Sequence, residues 1–156
     1  MGLNPSYVGV LSETPVGPLS VVIEGGGVAR LEWAVLRGPS DAIADRAVSQ
    51  LAEYFAGERQ DFDLPLAPHV SEFQIKFGRA LCAIPFGETR TYGDLSREMG
   101  VPAQAIGQAC GGNPIAIIIP CHRVLGANGL GGFSGAGGIE TKVQLLRHEG
   151  AASLLI

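Results

Sequence analysis

The chain has 156 residues, 46% of them apolar, and a formal net charge of −4, so it can fill one core or two small ones and is too acidic overall to coat a polyanion by bulk charge. Its longest apolar run, Ile115 to Ile119, is far below the roughly 18 residues that span a bilayer. Met1-Gly2-Leu3-Asn4-Pro5 lacks the basic-then-apolar pattern of a secretory signal, and a cytoplasmic protein with no membrane partner is expected.

Charge is uneven along the chain. Residues 1–70 carry four arginines against nine acids, net −5, whereas residues 71–156 carry seven cations against six acids, net +1. Only the second half is suited to an anionic partner, and then through few phosphate contacts. Three cysteines (Cys82, Cys110, Cys121) without a Cys-x-x-Cys pair argue against a disulfide framework, and three dispersed histidines argue against structural zinc. Neither a metal nor a cofactor is expected.

In chain order, Ser6 to Leu11, Leu19 to Ile23 and Val28 to Ala34 read as short strands. Pro15-Val16-Gly17-Pro18 and Glu24-Gly25-Gly26-Gly27 supply turn chemistry between them. Ser40, as N-cap, opens a helix through about Phe55, with Ile43, Ala47, Leu51 and Tyr54 on its inward face. Asp61 to Pro68 is a Pro-containing connection, which divides the chain into domains 1–68 and 69–156.

The second domain reads as mainly helical. Phe73, Ile75, Phe77, Ala80 and Leu81 mark one helix, ending near Ile84-Pro85-Phe86-Gly87. Thr91 caps a short second helix. Gly100-Val101-Pro102 turns the chain into a third, Ala103 to Cys110, which together make a helix-turn-helix. Ile115 to Ile119 reads as a buried strand stopped by Pro120. Gly126 to Gly138 is too rich in glycine for a helix or a packed strand, and its amides are free to donate to a ligand. A last helix runs from Ile139 to Glu149, closed by Gly150.

Cys121 follows the isoleucine run in Pro120-Cys121-His122-Arg123-Val124. A free thiol is mostly protonated at neutral pH and needs a base to react. His122 is that base by position. In an extended chain, neighbours point to opposite faces, so a bridging water is expected between them. A histidine acting as base is usually oriented by a carboxylate, and Glu149, placed against its own helix dipole, is the candidate. Cys82 and Cys110 read as structural, and His69 and His148 as surface or packing residues.

Asn113-Pro114, the isoleucine run, Pro-Cys-His-Arg-Val, Gly-Phe-Ser-Gly and Leu-Leu-Arg-His-Glu-Gly together resemble the O6-alkylguanine-DNA alkyltransferases, most densely over residues 72–150. The resemblance implies an α+β protein. A small ribonuclease H-like lobe of β-meander and helix precedes a helical lobe with a winged-helix-like helix-turn-helix. It further implies a monomer that binds double-stranded DNA through the minor groove and flips out an alkylated guanine. Cys121 would take the alkyl group from O6 once and irreversibly, with O4 of thymine as a second target. His122 and Glu149 would form the relay, Tyr92 would protonate the leaving base, and Asn113 would tie the helix-turn-helix to the active segment. Ser134, Gly135 and Phe133, with the carbonyls of Cys121 and Val124, would contact the base. Ala103, Gln104, Gly107, Gly111 and Arg123 would meet the DNA, with the protein at the nucleoid when bound.

Three positions depart from the family pattern. Gln104 stands where the family has an arginine that replaces the flipped base, Gly111 where a cation is common, and Phe133 where a tyrosine is frequent. Weaker base extrusion is expected, and the alternative function is a lesion-binding relative with weak or no repair. A cysteine hydrolase is the third class; it would turn over repeatedly.

Overall fold

The computed structural model describes residues 6–127 and 129–151. The pentapeptide read above for a signal, Asn128 of the glycine-rich stretch and residues 152–156 lie outside them. The chain divides into two compact units, 1–69 and 70–156.

The first unit opens with antiparallel strands β1 (Tyr7–Leu11), β2 (Leu19–Glu24) and β3 (Gly27–Glu32), in spatial order β1-β2-β3. Tyr7 pairs with Ile23 and Leu11 with Leu19. The central strand is buried along nearly its whole length, which is why it reads as an apolar run rather than an alternation. Its one hydroxyl, Ser20, is satisfied: it donates to the Ala34 carbonyl and accepts from Leu36 N. That engagement takes the chain after Glu32 out of strand pairing, two residues short of the Ala34 expected.

Helix α1 (Ala42–Phe55) lies against β1 at Gly9, where an added Cβ would stand 2.7 Å from the Ala44 carbonyl oxygen. Its cap is Asp41, whose carboxylate accepts from Ala44 N at 2.8 Å; Ser40, expected in that role, bonds Asp45 instead. The buried stripe is Ala44, Ala47, Leu51 and Tyr54, so the inward face starts one residue later than Ile43. Gln50 is buried and bonds both the amide and the carbonyl of Asp63. The connection then pairs with β3 at Val28.

The second unit holds α2 (Glu72–Cys82), α3 (Tyr92–Met99), α4 (Ala103–Gly111) and α5 (Ile139–His148). Thr91 caps α3 in a reciprocal capping box with Asp94, and Gly100 ends it in the left-handed region. The α3–α4 pair is the helix-turn-helix. Gln74 on α2 donates to the Ala109 carbonyl and fixes α4. A two-residue parallel ladder, β4 (Arg90–Thr91) with β5 (Val124–Leu125), joins the start of α3 to the segment carrying the cysteine. Nothing local in the sequence signals that pairing.

The largest correction concerns Ile115–Ile119, which is a series of turns, not a strand. Ile119 N bonds the Ile115 carbonyl within the segment, and the Asn113 side chain takes Ile115 N and the Ile119 carbonyl. With those groups satisfied the segment needs no partner strand. Its β-branched composition serves burial, since all five residues are in the core. Ile117 has φ +73°, a conformation that costs a β-branched residue about 1–3 kcal/mol and persists only where the surroundings impose it.

Candidate active site

Cys121, His122 and Arg123 form one turn of 3-10 helix between the isoleucine turns and β5. The backbone there is coiled, not extended as the strand reading requires. All three side chains are buried. His122 Nε2 lies 2.8 Å from Glu149 Oε2. A carboxylate can only accept, so Nε2 carries the hydrogen and Nδ1 holds the lone pair. Nδ1 is buried and meets no protein partner. Burial is the main influence on this ring and holds its pKa below the usual histidine range, although Glu149 pulls it up. His122 is therefore a neutral imidazole with an open basic nitrogen.

Glu149 is the C-cap of α5, and its side chain is fully buried. Arg123 grips it bidentately, Nε to Oε1 at 2.8 Å and Nη2 to Oε2 at 3.0 Å, and gives its third contact to the Ile84 carbonyl at 2.6 Å. This geometry corrects the expectation for Arg123. Arg123 is 5% exposed, and its guanidinium is engaged inside the protein, where it neutralises the carboxylate that orients His122.

Cys121 opens into a cavity of about 230 Å³ lined by Tyr92, Gly107, Cys110, Gly111, Cys121, Gly132, Phe133 and Ser134. Burial pushes the thiol's pKa up; the Asn113 side chain, hydrogen-bonded to the sulfur, and then Lys142 draw it back down. Asn113 thus holds the turns through Ile115 N and the Ile119 carbonyl and also lowers the pKa of the thiol. Tyr92 is likewise raised by burial and accepts from the Gly132 amide, so its phenol keeps its proton at neutral pH. An added Cβ at Gly131, φ +71°, would stand 2.8 Å from the Tyr92 hydroxyl, so only glycine lets the loop fold over the ring.

Most expected contact residues line this cavity; two do not. The Val124 carbonyl accepts from Lys142 Nζ at 2.6 Å. Gly135 turns its carbonyl to Gly138 N. On α4, Ala103, Gln104, Gly107 and Gly111 are exposed, while Ala109 is packed inside. Cys110 is half-buried in the cavity wall, its thiol pushed up to about 12 by burial, and Cys82 is exposed; both corrections move these cysteines out of the core.

Lys142 is the residue that the sequence reading missed. It is fully buried, and Nζ bonds the carbonyls of Val124 and Gly132. A signal was present: Lys142, Leu145, Leu146 and Glu149 fall at i, i+3, i+4 and i+7, all buried, so two opposite charges end one apolar stripe. Among the described residues no group of three His, Cys, Asp or Glu could hold a metal, and no helix is long and apolar enough to cross a membrane.

A buried cysteine beside a neutral histidine held by a carboxylate, opening next to a helix-turn-helix, is the arrangement of a thiol-bearing site on a DNA-binding scaffold. The chain belongs to the 6-O-methylguanine DNA methyltransferase family: residues 7–68 match its ribonuclease-like domain and residues 72–151 its DNA binding domain. It is 41% identical over 151 residues to the methylated-DNA–protein-cysteine methyltransferase of Methanosarcina acetivorans, covering 89% of this chain and 96% of that one. The crystal structure of Mycobacterium tuberculosis O6-methylguanine methyltransferase superposes with TM-score 0.81 at 38% identity, covering 95% and 94%. The M. tuberculosis OGT in complex with DNA superposes with TM-score 0.81 at 39% identity, covering 94% of each chain.

Proposed function

We propose that this protein repairs DNA by moving an alkyl group from O6 of guanine to Cys121, once per chain. The observation that carries the reading is the cavity that places Cys121, Tyr92 and Ser134 around one space, with the His122–Glu149–Arg123 set behind the thiol. The Sγ–C bond forms as the C–O6 bond breaks. The thiol proton passes through a water to His122 Nδ1, and the guanine leaving group takes a proton from the Tyr92 hydroxyl, a stabilisation that matters most as charge develops on the base. The product is a thioether, which His122 cannot cleave, so the protein is consumed.

The reacting carbon cannot be reached inside a duplex, so the base must leave the stack. The exposed α4 face of Ala103, Gln104, Gly107 and Gly111 has small residues suited to close approach in a minor groove, with Gln104 the side chain long enough to fill the gap left by the base. Arg123 has no part in this contact. O4-alkylthymine, of similar shape, is a second substrate. The site lies wholly within residues 70–156, which supports action as a monomer, with domains 1–68 and 69–156 dividing scaffold from chemistry. The working location is the cytoplasm, at the nucleoid when bound to DNA.

The test is an intact-mass measurement after incubation with duplex DNA containing O6-methylguanine. One methyl group per chain, mapped to Cys121, is the expected result. Unmodified protein that still binds the duplex would replace this reading with lesion binding alone, and repeated product release would replace it with hydrolysis.

A further inference from the structure

Lys142 is a buried cation whose two hydrogen bonds go to neutral carbonyls. An ammonium out of water is costly unless a compensating charge is near. Its bonded oxygens belong to Val124, immediately after the turn that carries Cys121, and to Gly132, in the cavity wall beside Phe133 and Ser134. Burial lowers the pKa of the Lys142 ammonium, and the ionisable groups that pull it back up are the two cavity thiols, Cys110 and Cys121. Cys110 has its pKa pushed up to about 12 and stays neutral. The anion that the reaction creates in this cavity is the Cys121 thiolate.

We propose that Lys142 is the fixed counter-charge of the Cys121 thiolate, held in place by its bonds to Val124 and Gly132. It is a positioning residue that acts through the sulfur and does not touch the alkyl group. The proposal rests on Cys121 as the nucleophile and adds what makes its thiol ionise in an apolar site. The groups that act on the sulfur or share its cavity are Asn113 just before the isoleucine turns, Lys142 from α5, Cys110 from α4 and Tyr92 from α3. Lys142 supplies the positive charge among them. Lys142 also opposes protonation of His122, where it follows burial, Glu149 and Arg123 in influence.

The experiment follows carboxamidomethylation of Cys121 by iodoacetamide against pH in the full chain, read at the Cys121 peptide by mass spectrometry. Wild type is compared with Lys142→Gln, which can still donate to the two carbonyls but has no charge, and with Lys142→Met and Lys142→Arg. The midpoint is expected to rise by about one pH unit in the Gln and Met variants, a roughly tenfold slower reaction at neutral pH, with Arg restoring most of it. Thermal melting checks that each variant is folded; the Gln variant keeps the question answerable should Met unfold. A midpoint unchanged in folded Lys142→Gln overturns the proposal. Because iodoacetamide needs no DNA, this outcome is independent of whether duplex DNA alkylates Cys121, so failure here and failure of the repair reading are told apart.

Discussion

The two units handle charge in opposite ways. In residues 6–69 the ion pairs are at the surface: Arg46 with Asp63 is 46% and 87% exposed, and Arg59 with Glu53 is 29% and 45%. In residues 70–151 the set around Glu149 is sealed, with His122, Glu149 and Arg123 side chains exposed by 0%, 0% and 6%. Exposed pairs contribute little to stability because water screens them. Buried ones are costly to assemble and very costly to break. Among its described residues the first unit thus buries neutral polar groups only, Ser20 and Gln50, beside its apolar core, whereas the second buries charged side chains.

Five experiments put that contrast at risk. The largest effect is expected from Cys121→Ser, which should abolish the covalent mass increase with O6-methylguanine DNA while leaving the melting temperature close to wild type. Residual modification elsewhere in the second unit would show that its buried set does not serve this thiol. Next, Glu149→Gln leaves Arg123 buried without its anion and should cost about 3–5 kcal/mol in urea unfolding, together with most of the alkyl-transfer rate. A loss below about 1 kcal/mol would make the buried set no different from the surface pairs.

The third experiment uses pH. Burial lowers the His122 pKa in the folded state, so the unfolded chain takes up the proton first as pH falls. This stability is complete above the unfolded value of about 6.5 and is lost as pH falls through the folded one. The slope of unfolding free energy should approach about 1.4 kcal/mol per pH unit in that window and flatten in His122→Asn. An equal slope in both proteins would remove His122 as its source. On the outer face of the same unit, Gln104→Arg should raise single-turnover transfer from duplex DNA on the order of tenfold, worth about 1.4 kcal/mol, and leave the rate with free alkylguanine base unchanged. The smallest effect is Arg46→Ala in the first unit, expected below about 1 kcal/mol.

How much was legible differs between the units for a physical reason. The three strands and α1 of the first unit are local patterns, and the errors there are shifts of a residue or two at Ser40, Ile43 and Ala34 that side-chain hydrogen bonds decided. The capping box of α3 and the glycine after it are also local signals. In the second unit, Ile115–Ile119 reads as a strand because β-branched residues favour both strands and cores, and periodicity cannot separate the two in five residues. The side chain that satisfies its backbone, Asn113, is adjacent in sequence, but its bonding is a tertiary choice. Arg123 reads as a DNA contact only through the family resemblance, and its place beside the nucleophile also suits an anchor for the segment; only the fold brings the Glu149 carboxylate to it from 26 positions away.

By itself the sequence determined the α+β class and pointed to Cys121 as candidate nucleophile and His122 as candidate base, because these depend on residue type and short spacing, and it offered Glu149 as the candidate carboxylate from its place at a helix end. The tertiary structure decided which nitrogen of His122 is left open, where Arg123 points, and that Lys142 is buried against the Gly132 carbonyl in the wall of the cysteine's cavity. Those facts depend on burial and on partners distant in the chain, and burial is what turns an ordinary thiol, imidazole and ammonium into groups whose charges must answer one another.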